Sequence, residues 1–321
     1  MHFFLGSNSP KGFFSKMDIF SENLPSDWKC NVIKGGPGCG KSTYMKKIAD
    51  EIIDMGFEVE YIHCPSDPLS LDAIICDDLK LCYVDGTAPH VIDPVYPGIS
   101  GKIIDLGSKR KANKSSKDKI RDLDDKSKDL RSRSQKYLIS FRSILSNSIE
   151  ESIKKINIKN INKLIYKIKN KFFKKDMTKK SKQSTRLISS MGPKGLLFFN
   201  QNFEDYEVYQ INDDLNLETD ILFRKLLNES NAKGYDSIIC LNPLAFNEKI
   251  ESLIFPEINF AIFAKNRWQS FFESNKPDKI FESESKLIKE DINLLDSLIK
   301  KTKISLSDAN NYHSKIEKEY Y

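Results

Sequence analysis

Apolar residues fall in short, strand-sized runs over the first hundred positions and in helix-spaced stripes beyond them. Phe3-Phe4-Leu5, Cys30-Asn31-Val32-Ile33, the alternating stretch 57–62 and the run 79–84 read as strands. Between the second and third of these, residues 43–55 place Met45, Ile48, Ala49, Ile52 and Ile53 on one helical face, and Gly56 closes the helix. Residues 7–12 read as a turn and 13–20 as a helix packing on the core. Residues 64–68 lead into a short apolar and acidic segment. Strands alternating with helices predict an α/β fold built on a parallel sheet. Further on, Leu130, Tyr137, Leu138, Phe141, Ile144, Leu145, Ile149, Ile153 and Ile156 recur three or four apart, and 161–172 repeats the pattern. A last stripe from about Ser283 to Ile316 predicts one long helix packing against the 120–170 helices.

The chain also repeats itself. Met191-Gly192-Pro193-Lys194-Gly195-Leu196-Leu197-Phe198 echoes Asn8-Ser9-Pro10-Lys11-Gly12-Phe13-Phe14, and Lys233-Gly234-Tyr235 echoes Met55-Gly56-Phe57. Pro243 falls where Pro65 does, 250–254 matches 71–75, and 260–263 stands where 81–84 does. The expected organisation is a module over 1–107, a basic helical segment over 108–185, a second copy over 186–270 and a terminal helix over 271–321.

Charge sharpens that division. The net charge of +6 conceals about 25 Lys/Arg against about 8 Asp/Glu between Ser108 and Thr185, leaving the remainder net acidic. Two readings fit the basic stretch: a nucleic-acid or acidic-surface contact, or a solvated helical hairpin. The scarcity of aromatics among the lysines favours the second. The six cysteines have no C-x-x-C pair or metal-ligand spacing and read as reduced thiols. No apolar run reaches the roughly 20 residues of a membrane span, and residues 1–6 lack a basic n-region. A cytoplasmic protein is the expectation.

Chemistry concentrates at Gly35-Gly36-Pro37-Gly38-Cys39-Gly40-Lys41-Ser42, followed by Thr43. This is G-x-x-x-x-G-K-[ST] between a strand and a helix, the setting in which glycines let backbone N–H groups converge on a phosphate. Lys41 is expected to reach the β- and γ-phosphates, and the Ser42 hydroxyl to ligate Mg²⁺. Asp85, ending an apolar strand, is the second candidate metal ligand. Asp67, Asp72, His90 and Asp93 lie on neighbouring loops where they are placed to position water or a substrate. In the second copy the loop register holds Asp213-Asp214-Leu215-Asn216-Leu217-Glu218-Thr219-Asp220, and Ala264 takes the place of Asp85. That copy is expected to repel phosphate and bind no nucleotide. Asn275-Lys276-Pro277-Asp278 spells a guanine-binding motif but follows no clear strand and reads as chance.

GGPGCGKST at 35–43, CPSDPLSLD at 64–72, DGTAPHVIDPVYPG at 85–98 and the tail near His313 and Glu317 resemble a bacterial family of uncharacterised proteins with tandem P-loop ATPase modules. The resemblance covers nearly the whole chain and departs from the family in the second loop. It implies a P-loop NTPase fold, with Gly35, Gly40, Lys41 and Ser42 on phosphate and Asp85 on metal. The expected function is a slow Mg²⁺-dependent ATPase acting as a conformational switch, with Arg186 or Arg267 completing the site and an unidentified protein partner allowed for. Two alternatives stand beside it: a small-molecule or nucleotide kinase, with Arg131 and Arg133 over a second phosphate substrate, and a non-enzymatic scaffold stabilised by nucleotide.

Overall fold

The computed structural model describes residues 1–321 apart from 22–23, 88–90, 109–115, 246–248, 274–275 and 321. The first module runs β1 (His2–Phe4), β2 (Gly6–Ser9), β3 (Gly12–Ser15), β4 (Lys29–Lys34), α1 (Lys41–Asp54), β5 (Glu60–His63), β6 (Leu71–Cys76), β7 (Leu81–Asp85) and β8 (Ile103–Asp105). Its sheet has the order β1-β5-β6-β7-β4-β8. The β1–β5, β7–β4 and β4–β8 pairs are parallel, whereas β6 runs antiparallel to both neighbours. The sheet is therefore mixed rather than parallel throughout. The reason is connection length: 64–70 and 77–80 are too short for a crossover, which needs about a dozen residues. The segment after Pro68 is thus a central strand, with Asp72 half-buried and the other five positions buried. Residues 13–20 also depart from the expected helix. Gly12, at φ +107°, turns the chain into a β2–β3 hairpin, and only Met17–Phe20 coils into a 3₁₀ turn.

Beyond α2 (Lys117–Ile153) and α3 (Ile158–Phe172), the second half runs β9 (Gln183–Arg186), β10 (Ser189–Gly192), β11 (Gly195–Phe198), β12 (Glu207–Asn212) and α4 (Glu218–Ala232). It continues with β13 (Ser237–Leu241), β14 (Ile250–Phe255), β15 (Phe260–Lys265), β16 (Gln269–Phe271), β17 (Lys279–Glu282) and α5 (Lys289–Tyr320). Its larger sheet has the order β9-β13-β14-β15-β12-β17, which reproduces the first sheet strand for strand and sense for sense. Even local irregularities recur. The register shifts near the end of both β5 and β13, and Lys80 and Asn259 adopt φ +50° and +44° in the matching turns. This second sheet begins at Gln183 and extends to Glu282, past both boundaries read from the sequence.

The two halves meet edge to edge. Phe4 N donates to Leu187 O at 2.7 Å and Leu187 N returns a bond to Phe4 O at 3.0 Å. Beside them Ser190 Oγ donates to Gly6 O (3.0 Å), while Met191 N donates to Ser7 Oγ (2.9 Å). Such reciprocal contacts are those of a two-fold dimer, here within one chain. The buried Arg186 guanidinium grips the Glu60 carboxylate with two nitrogens at the same junction. One apolar cluster, including Phe4, Leu187, Phe198 and Phe199, spans both halves.

α2 and α3 do not form the helical hairpin expected of the basic segment. α2 pairs antiparallel with α5: Ser127 Oγ donates to Ala309 O and Ser152 Oγ to Lys286 O, both at 3.1 Å, and Ser148 Oγ accepts from Ile288 N at 2.9 Å. α3 instead lays Ile161, Ile165 and Ile168 into the core of α4 and the second sheet. Many lysines of the basic stretch are neutralised locally. Lys126 and Lys128 pair with Asp122 and Asp124 along α2, and Lys169, Lys171 and Lys179 with Glu229, Glu207, Asp236 and Glu257 of the second module. Among the described residues, no helix is long and apolar enough to cross a membrane.

Candidate phosphate-binding site

Residues 35–40 link β4 to α1, with Gly38 at φ +72° and Gly40, the helix N-cap, at φ +94°. Residues with a Cβ rarely adopt either angle, so the glycines permit the bend. Lys41, the first residue of α1, folds back over the loop. Its Nζ donates to Gly35 O (3.0 Å) and Gly36 O (3.1 Å) and lies 3.5 Å from Asp85 Oδ2. Asp85 reaches this place because β7 pairs with β4 in a register that sets it opposite Ile33. Its Oδ1 accepts from the Thr87 N–H (3.0 Å) and from the Thr87 hydroxyl. Ser42 Oγ accepts from Leu71 N at 3.0 Å, which ties α1 to the start of β6. Gly36 and Pro37 line the turn, Cys39 is buried beneath it, and Thr43 is exposed on α1.

Asp72 follows Leu71 and belongs to the same constellation. Burial pushes its carboxyl up to about 7, assisted by the Asp85 charge and opposed by the Cys64 thiol and Lys41. The other loop candidates have local duties. Asp67 accepts from Ser70 Oγ (2.5 Å), Asp93 pairs with Lys34 (2.9 Å), and His90 lies outside the described residues.

The sequence reading missed the cover on this site. The end of α5 passes over the loop, with Glu317 Cβ 3.8 Å from where a Cβ on Gly38 would stand. One turn earlier, His313 Nε2 lies 3.9 Å from Glu317 Oε1. Burial lowers the His313 pKa, Glu317 opposes this, and the Arg131 and Lys41 charges add to the depression. The arginines proposed to complete the site are engaged elsewhere, Arg186 by Glu60 and Arg267 by Asp296 on α5. A helix of high sequence separation arriving over a loop leaves no local periodic signal.

The second copy shows what such a loop does with an anion. Asp213 follows β12 as Gly35 follows β4, and Ile211 faces Ala264 as Ile33 faces Asp85. Asn216, at φ +46°, takes the left-handed bend of Gly38. The Asp213 carboxylate, 1% exposed, turns into the loop. It accepts from Leu215 N (3.2 Å), Leu217 N (2.9 Å), Thr219 N (3.0 Å) and Thr219 Oγ1 (2.9 Å). The acidic loop does more than present like charge outward: one carboxylate fills the nest itself. Asp220 stands where Ser42 does and makes the matching bond, accepting from Ile250 N at 2.8 Å. Asp278 of the Asn-Lys-Pro-Asp stretch accepts from Val208 N (2.7 Å) at the sheet edge, a structural contact, while Asn275 lies outside the described residues.

Glu251 is the counterpart of Asp72 and is fully buried. Its carboxyl accepts from Ser189 Oγ (2.6 Å) and Gln269 Nε2 (2.7 Å), yet burial pushes it up to about 8. Between the unfolded value of 4.5 and 8 the folded chain holds a proton that the unfolded chain lacks, so stability falls as pH rises through that window. Glu251→Gln should therefore stabilise the protein at pH 8, by up to about 4 kcal/mol, and do little at pH 4.5. Urea unfolding of both proteins at the two pH values measures this, and a gain that is equal at both contradicts it.

Compared with known proteins, the chain matches no family model, no curated protein and no solved structure.

Proposed function

We propose that the first module is a P-loop NTPase site that binds Mg²⁺-ATP and hydrolyses it slowly, using nucleotide occupancy to reposition the α2–α5 helices. The observation carrying this reading is the comparison of the two loops. The same turn that closes around the Asp213 carboxylate in the second copy has a glycine at that position in the first, together with the cation of Lys41. The first loop is thus built to take an oxyanion from outside, while the second carries its own.

In this reading Lys41 leaves the Gly35 and Gly36 carbonyls for the β- and γ-phosphates. Ser42 and Asp85 would hold Mg²⁺, which when bound would neutralise charge on the phosphates. Among the described residues no cluster of three or more His, Cys, Asp or Glu forms a metal cage. Few protein ligands, completed by water and phosphate, suit Mg²⁺ in a nucleotide site. Asp72 orients the attacking water. The second module serves as a structural partner that holds the helices in place.

Thermal-shift titration with Mg²⁺-ATP and Mg²⁺-GTP, followed by phosphate release, tests the reading. Ligand at 100 times Kd should add about 2.7 kcal/mol. Lys41→Ala should weaken binding about 10- to 100-fold through loss of charge-assisted bonds. An unshifted wild type would sink the proposal, and transfer to a nucleoside monophosphate would replace hydrolysis with the kinase reading.

A further inference from the structure

We propose that Lys34 is the positioning residue of Asp85: its ammonium clamps the chain leaving β7 and so aims the Asp85 carboxylate at Lys41. In the nucleotide reading, on which this rests, Asp85 is a metal ligand, and Lys34 is what keeps it in place.

Lys34 is the half-buried last residue of β4, immediately before the glycine loop. An ammonium has three N–H donors, and here each has an acceptor on the chain beyond Asp85. Nζ donates to Gly86 O (2.8 Å) and Ile92 O (2.7 Å) and pairs with Asp93 Oδ1 at 2.9 Å. The carbonyl of Gly86 and the N–H of Thr87 belong to one planar peptide unit and point in opposite directions. Lys34 holds that carbonyl, so the N–H on the other side is directed at Asp85 Oδ1, which accepts it at 3.0 Å. The second oxygen, Oδ2, is thereby left facing Lys41 Nζ at 3.5 Å. Gly86 N donates to Ile33 O at 3.0 Å and closes the turn from below. A side chain at Gly86 would break the clamp, because its Cβ would stand 2.7 Å from Ile92 O and 3.2 Å from Lys34 Nζ.

The duplication separates what this clamp does for the site from what it does for the fold. Ala264 stands where Asp85 does, and Asn212 and Lys265 stand where Lys34 and Gly86 do. Asn212 turns the other way: its Nδ2 donates to Glu282 Oε1 on β17 at 2.5 Å, and its Oδ1 accepts from Gln210 Nε2 at 2.7 Å. The Lys265 ammonium lies over the Phe271 ring, 4.8 Å from its centroid. The second sheet keeps the strand order and senses of the first without a clamp. Carboxylate and clamp are thus both present in the first copy and both absent from the second, so the clamp serves the carboxylate rather than the sheet.

The test is equilibrium binding of a non-hydrolysable ATP analogue to the full chain, in EDTA and across a Mg²⁺ titration. The proteins are wild type, Lys34→Met, Lys34→Arg, Asp85→Asn, the Lys34→Met/Asp85→Asn double variant and Lys41→Ala. Lys34→Met should raise the Mg²⁺ concentration for half-saturation about 10- to 100-fold, as losing the support of a metal ligand does. Its affinity in EDTA, set by the loop and Lys41, should stay within about twofold of wild type. Placed on Asp85→Asn, the same substitution should add less than about a twofold further loss, because Lys34 acts through Asp85. Lys34→Arg keeps the charge, but its flat fork does not converge on three acceptors around one point. It should retain part of the Mg²⁺ response, and it provides the reading if Lys34→Met does not fold. Equal losses with and without Mg²⁺, or losses that add to those of Asp85→Asn, reduce Lys34 to a folding role and overturn the proposal. An unchanged Mg²⁺ response in Lys34→Met overturns it too, while Lys41→Ala still reports the nucleotide site. A wild type that binds no nucleotide overturns both readings.

Discussion

Asp213→Ala should destabilise the protein by about 4 kcal/mol, although Asp213 lies in the copy to which no catalysis is assigned. The carboxylate satisfies the N–H groups of Leu215, Leu217 and Thr219 and the Thr219 hydroxyl in a site sealed from solvent. Each buried donor left without an acceptor costs about 1–3 kcal/mol, less where water can enter. A change of this size belongs to the tail of single-substitution effects and needs a broken buried network. Asp213→Asn, which keeps one oxygen, should lose roughly half as much. The measurement is the denaturant midpoint at constant m-value, with and without inorganic phosphate. If the loop is an anion nest, phosphate should recover part of the loss in Asp213→Ala and do little for the wild type. A loss below about 1 kcal/mol would mean that the nest is not under tension from this carboxylate.

Asp72→Asn should slow phosphate release by about 10²- to 10³-fold while leaving nucleotide affinity within a few-fold. Asp72 follows Leu71, whose N–H is held by Ser42 Oγ, and its carboxyl feels the charges of Asp85 and Lys41, so in the nucleotide reading it stands beside the reacting phosphate. Asparagine keeps the shape and removes the base. It also removes a like charge facing Asp85, so the folded state should be no less stable than wild type at pH 8. That stability check separates lost chemistry from lost folding. Single-turnover release and equilibrium binding on the same preparation decide the matter, and unchanged release would remove Asp72 from the mechanism.

Much of this protein is determined locally and can be read from the chain. The 35–42 loop lies between a strand and a helix that are its immediate neighbours, so its conformation depends on glycines that anyone can count. The long helices follow from a period of three to four, and the duplication follows from matching turns such as Gly56 and Gly234, both in the left-handed region. Asp85 could be picked out as a carboxylate ending an apolar strand, but its place beside Lys41 depends on β7 pairing with β4 in the register that sets it opposite Ile33.

Other features were decided only when distant segments packed. β6 runs antiparallel because its connections leave no room for a crossover, and its apolar run alone says nothing about direction. The stripe of the terminal helix predicts packing against the 120–170 helices, as found, but does not say whether α2 or α3 receives it. The choice of α2 rests on contacts such as Ser127 with Ala309, 182 residues apart. That choice brings Glu317, with His313 one turn before it, over the loop. Likewise, the run of acids at 213–220 announces lost chemistry, but the burial of one carboxylate inside its own nest depends on Asn216 adopting φ +46° and being held by Asn242 and Ile250. Sequence periodicity reports which face of an element is apolar. It cannot report which of several apolar faces will cover it, because that is settled by the closure of long loops and the summed packing of the whole chain.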